Sequence, residues 1–178
     1  MVRFHKDEGI VLSKKNLLNE DKLITIFSQN YGKIVLLGKG VRKIISRRLS
    51  HLETGNFIKF SFYKKDNYFY LRETEVIYGY SKIKRSNEKI NQLYLLFFIL
   101  NKILPENQKE QAIFSKTLNI LKDLNNREDV DVERVRHYLN DILIIDGFIN
   151  KDETNKAGFD PILFIENLIH EKIKIITI

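Results

Sequence analysis

The sequence of 178 residues contains no cysteine. That removes structural disulfides and thiolate zinc sites together, and leaves nothing that argues for an oxidising compartment. A long apolar run is also missing: the longest, Leu93 to Leu100, falls far short of the roughly 20 residues a membrane-spanning helix needs. At the amino terminus, MVRFHKDEGIVL is broken by charge before any apolar stretch reaches the length of a secretory signal. The expectation is a soluble, cytoplasmic protein.

Recognisable catalytic frameworks are missing too. The four histidines, His5, His51, His137 and His170, show no H-x-x-x-H spacing and have no cysteine beside them, so neither a metal nor a cofactor is expected. No G-x-S-x-G nucleophile elbow occurs. Gly38-Lys39-Gly40 lacks both the spacing and the hydroxyl of a Walker A loop. The acids Asp123, Glu128, Asp129, Asp131 and Glu133 gather where a helix boundary is expected, where capping and the helix dipole account for them. An enzyme is not expected.

What the chain does have is a 43% hydrophobic content, sufficient for an ordinary core, and a net charge of +7. The charge is uneven. Residues 1–86 hold 18 Lys and Arg against 8 Asp and Glu, whereas residues 87–178 hold 12 against 15. A polyanionic partner is therefore sought on the first half.

Short β-rich runs fill that half: Gly9 to Ser13, Lys22 to Ser28, Lys33 to Leu37, Asn56 to Tyr63 and Tyr68 to Val76. Gln29-Asn30-Tyr31-Gly32 and Lys64-Lys65-Asp66-Asn67 read as hairpin turns, and a helical turn fits between the third and fourth strands. Five strands in this order predict an OB-fold, a small Greek-key barrel used for oligonucleotides. If Ile58, Phe60, Phe62, Phe69 and Leu71 point inward, Lys59, Tyr63, Tyr70 and Arg72 point outward. Tyrosines mixed with cations suit single-stranded nucleic acid; the alternative is that they pack against the second half of the chain.

The second half reads as helices. Asn87 to Leu104 is apolar nearly all round, as a buried central helix would be. Pro105 fits the first position of a following helix carrying Ile113, Phe114, Leu118 and Leu121. Asp131 caps a third helix that Gly147 stops, and Asp160-Pro161 starts a fourth through Ile169. The polar stretch 150–158 is expected to be a mobile loop. The whole predicts an α+β chain, with an OB-fold domain over 1–82 and a helical domain over 83–178.

The stretch GKGVRKIISRRL, residues 38–49, packs Lys39, Arg42, Lys43, Arg47 and Arg48 without an interleaved acid. It is either a grip on a nucleic-acid backbone or a solvated turn. Lys14, Lys15, Lys64 and Lys65 fall near the two loops such barrels use for binding, which favours the grip.

DEGIVLS (7–13), NEDKLITIFSQNYGKI (19–34), GKGVRKIISR (38–47) and YLRETEV (70–76) together resemble the N-terminal domain of RecO, the bacterial recombination mediator. More weakly, HYLNDILIIDGF (137–148) and IHEKIKI (169–175) are similar to later family segments. The resemblance implies binding of single- and double-stranded DNA, annealing of complementary strands, and loading of RecA with RecR onto DNA coated by single-stranded-DNA-binding protein. It places family binding on Lys39, Arg42, Lys43, Arg47 and Arg48. Many members carry a four-cysteine zinc finger where this chain has only residues 150–158, and the chain is shorter by about that finger and its adjoining helices. Contacts that depend on the finger are put in doubt. The alternatives are an OB-fold protein-interaction adaptor or an RNA-binding module without annealing activity.

Overall fold

Strict alternation sets the barrel. In β2 (Lys22–Ser28) and β3 (Gly32–Gly38), Ile24, Ile26, Ile34 and Leu36 are fully buried at every second position. The two strands pair antiparallel with Ile26 opposite Ile34 and Ile24 opposite Leu36. The computed structural model describes residues 3–42, 48–128, 131–156 and 158–173. In it β1 (Phe4–Asn16), β2, β3, β4 (Phe57–Lys65) and β5 (Tyr68–Tyr78) close a barrel in the order β1-β2-β3-β5-β4, the arrangement of an OB-fold. Closure between β3 and β5 is parallel and brief, through Leu36 with Phe69 and Leu37 with Tyr70.

The interior holds Val11, Ile24, Ile26, Ile34, Leu36, Val41, Leu52, Ile58, Phe60, Phe62 and Leu71, with Tyr31 and Phe69 packed against them. Each such side chain contributes about 1.5–3 kcal/mol relative to exposure. The expected inward residues of the last two strands are therefore inside. A one-turn helix, α1 (Arg48–His51), lies between β3 and β4.

β1 begins five residues earlier than expected. The charged run His5 to Glu8 hides a strand in which His5 and Asp7 share the inward parity of Gly9. Both find polar partners: His5 meets the Tyr31 hydroxyl at 2.8 Å, and Asp7 accepts from Ser28 and from the backbone and side-chain nitrogens of Asn30 at 3.0 and 2.7 Å. A buried acid satisfied in this way is compatible with a strand interior.

Pro105 does not start a helix. The chain from Leu104 to Glu110 is non-helical, with Asn107 at φ +59°, forms a parallel bridge between Glu106 and Lys33, and places the Asn107 amide 2.9 Å from the Lys33 carbonyl. Gly32, at φ +68°, is required there, because a Cβ would overlap the Gln108 carbonyl. Phe114 then packs edge-on to Phe27, with ring centroids 5.3 Å apart. Residues 1–80 and 104–114 accordingly form one compact unit, and 81–103 with 115–178 form the other.

The second unit contains α2 (Ser81–Lys84), α3 (Asn87–Ile103), α5 (Val132–Ile145), α6 (Lys151–Thr154), α7 (Pro161–Ile169) and most of α4 (Gln111–Asn126). Helix α3 packs against α2, α5 and α7, and buries Leu93, Leu96, Phe97, Ile99 and Leu100. Asp131 and Asp160 cap α5 and α7 as expected, with side-chain oxygens accepting from Glu133 and Ile162 amides at 3.0 and 2.8 Å. The stretch expected as a loop contains α6, started by a capping box in which Asn150 and Glu153 exchange hydrogen bonds of 3.0 and 2.8 Å. Among the described residues no helix is long and apolar enough to cross a membrane.

Candidate nucleic-acid interface

Pairing of β4 with β5 sets Tyr63 directly opposite Tyr70, and pairing of β1 with β4 sets Phe4 opposite Tyr63. All three rings face away from the core. Tyr63 and Tyr70 stack with centroids 5.2 Å apart and planes 14° from parallel, and Phe4 meets Tyr63 edge-on at 5.6 Å. A cation closes each end of this row: the Lys39 ammonium lies 5.0 Å from the Tyr70 ring centre, and the Arg72 guanidinium 4.5 Å from that of Phe4.

The loop carrying Lys39 is tied down by the link between β1 and β2. The Gly40 amide donates to the Asp21 carboxylate at 2.7 Å, the Arg42 amide to the Glu20 carbonyl at 3.0 Å, and the Arg42 guanidinium to the Leu17 carbonyl at 3.4 Å. Arg48, from α1, donates to the carbonyls of Lys39 at 2.8 Å and Arg72 at 3.3 Å, so one side chain bridges both ends of the site. These partners are neutral carbonyls, which orient the guanidinium and leave its charge uncompensated.

A second group of cations sits at the barrel mouth. Lys22 and Lys14 share the inward parity of Ile24, beyond the last apolar layer. Burial holds the Lys22 ammonium below the usual lysine range, and the nearby charges of Lys14 and Arg42 lower it further. A lysine kept beside two like charges favours an arriving anion.

Lys39, Arg42, Arg48, Tyr63, Tyr70, Arg72 and Lys14 therefore belong to the row or to the mouth. Lys15 is exposed at the end of β1 with the opposite parity, and Lys64 and Lys65 sit at the β4–β5 hairpin, Lys64 5.8 Å from the Phe69 ring centre. Lys59 is not brought to the row. Four residues before Tyr63, or about 13 Å along the strand, it lies 3.9 Å from Glu8 in an open cleft of about 700 Å³ that Asp7, Glu73 and Glu75 also line. Lys43 and Arg47 lie outside the described residues.

Two residues of the site were not read from the sequence, Phe4 and Lys22. Phe4 belongs to the concealed start of β1. Lys22 could have been found, since its alternation with Ile24 and Ile26 marks a lysine in an inward position. Among the described residues no group of three or more His, Asp or Glu side chains is placed to hold a metal ion.

Residues 1–80 match the family described as Recombination protein O N terminal. DNA repair protein RecO of Thermoanaerobacter sp. (strain X514) is 32% identical over 114 residues, 64% of this chain and 46% of that protein. The protein of the same name from Acetivibrio thermocellus is 30% identical over 139 residues, covering 76% and 54% of the two chains. That of Mycoplasma mycoides subsp. mycoides is 31% identical over 159 residues, covering 85% and 61%. The chain spans about half the length of most of the curated relatives it matches.

Proposed function

From the match of residues 1–80 to the family described as Recombination protein O N terminal, we propose that this chain is a non-enzymatic DNA-binding protein of recombinational repair. It binds single- and double-stranded DNA, anneals complementary strands, and assists RecA loading together with RecR in the cytoplasm. Single-stranded-DNA-binding protein is met on the coated strand. The binding domain is assigned to residues 1–82, completed by the returning strip 104–114, and the helical domain to the rest of 83–178.

The observation that carries this reading is the convergence of Lys39, Arg48 and Arg72 around Tyr63 and Tyr70 on one outward face, beside Lys14, Lys22 and Arg42 at the mouth. Cations along such a face displace counterions from phosphates, which supplies most of the affinity. Rings among them supply sequence-tolerant contacts to bases.

The test is a titration of labelled single-stranded oligonucleotide across salt. Replacing Lys39, Arg42, Arg48 and Arg72 together by Ala flattens the slope of log K against log salt by about 3, at roughly 0.7 for each phosphate no longer neutralised. An unchanged slope in a folded variant rejects the site. Annealing of complementary oligonucleotides, with and without RecR, falls in parallel with binding.

A further inference from the structure

We propose that Phe4, Tyr63 and Tyr70 select unpaired, extended strands over duplex, that Phe4 is the residue setting this selectivity, and that Arg72 moves from the Phe4 ring to a phosphate on binding. This rests on the DNA-binding reading and assigns a specificity role within the same interface.

Phe4 is an apolar ring left 49% exposed on the outward side of a strand, where barrel packing gives it no work. Its neighbours are the Tyr63 ring and the Arg72 guanidinium. Tyr63 and Tyr70 stack on one another and Phe4 meets Tyr63 edge-on, so the row accepts a base only on a ring face that these contacts leave free, and a base reaches it only after leaving its own stack. A duplex keeps its base faces inside the stack and offers this surface phosphates alone. Single strands have faces to give, and a ring accepts any base.

Arg72 is poised to exchange. Its interaction with Phe4 is an exposed cation–π pair, and its carboxylate neighbour Glu73 is 4.0 Å away and exposed. A phosphate forms charge-assisted hydrogen bonds stronger than either interaction. Once the guanidinium swings to the backbone, the ring face it covered is open to a base.

The chain contains no tryptophan, so Phe4→Trp in the full chain introduces a single reporter at this position. Titration with oligothymidylate quenches its emission, and a blunt hairpin duplex at the same salt binds without quenching. Phe4→Ala weakens single-strand binding about five- to one-hundred-and-fifty-fold, leaves duplex affinity within about twofold, and leaves the salt slope unchanged. Phe4→Tyr restores single-strand affinity, whereas Phe4→Leu does not. Equal losses for strand and duplex, rescue by Leu, or an unquenched Trp on bound single strand overturn the selectivity role while leaving the DNA-binding reading intact. Absence of salt-dependent binding by the unsubstituted chain overturns both.

Discussion

The two compact units treat their cations in opposite ways. In the helical unit basic side chains meet carboxylates at close range: Lys172 with Glu166 at 2.8 Å, Arg134 with Asp131 at 3.2 Å, Arg136 with Asp160 at 3.3 Å, and Lys102 with Glu171 at 2.5 Å. In the barrel unit the pairs are looser, as in Lys59 with Glu8 at 3.9 Å and Arg72 with Glu73 at 4.0 Å. No described carboxylate forms an ion pair with Lys14, Lys15, Lys22, Lys39, Arg42, Arg48, Lys64 or Lys65. The close ion pairs gather in one unit, and in the other these eight cations have no described carboxylate partner. Net charge alone, +7 for the whole chain, hides this division.

The contrast breaks if charge reversal has the same effect in both units. Lys14→Glu with Lys39→Glu, both exposed, is expected to lower single-strand affinity about a hundredfold at moderate salt, with an unchanged urea midpoint. Arg134→Glu, which loses Asp131 and Asp123, should leave binding within about twofold and cost about 1 kcal/mol of stability in urea. Fluorescence anisotropy and denaturant titration on the same samples compare them directly.

Lys22 sharpens the contrast, since its charge is held at a cost. Its folded pKa is depressed, so the unfolded chain binds that proton more tightly and the charged group destabilises the fold at neutral pH. Lys22→Met is expected to raise the thermal midpoint at pH 7 while weakening single-strand binding several-fold. Its stability advantage shrinks as pH rises, and vanishes above the ordinary lysine value of 10.5, where the group is neutral in both states. A variant that binds single strands as tightly as its parent would take the barrel mouth out of the binding surface.

The smallest effect concerns Tyr80, which burial pushes up to about 12, with Tyr78 as the lesser cause. Because the folded value is raised, stability tied to the neutral phenol is fully present below pH 10 and is lost as pH climbs through 12. Tyr80→Phe should shift alkaline unfolding of the barrel upward, as followed by circular dichroism. Tyr138, raised by burial in the helical unit, is untouched by that change.

The sequence discloses the fold wherever burial and alternation agree. β2 has the expected bounds because Ile24 and Ile26 alternate cleanly, and the caps Asp131 and Asp160 are legible because an acid before an apolar-periodic run has few other uses. Agreement fails where polar groups are buried and satisfied. His5 and Asp7 disguise the start of β1, and with it Phe4. Pro105 misleads because its fixed φ suits an extended chain as well as a helix start, and only the bridge to Lys33 decides between them. In the site, alternation found Tyr63, Tyr70 and Arg72, but parity alone could not separate Lys59 from them. That separation comes from Glu8, a neighbour brought by a strand distant in the chain.

The strip from Leu104 to Phe114 carries one more consequence. Anyone excising the amino-terminal lobe at residue 80, where the family match ends, would discard the filling beside Phe27 and Phe57 and the backbone partner of Lys33. This lobe is discontinuous along the gene product, and a swap between relatives would transplant it intact only if the returning strip travelled with it.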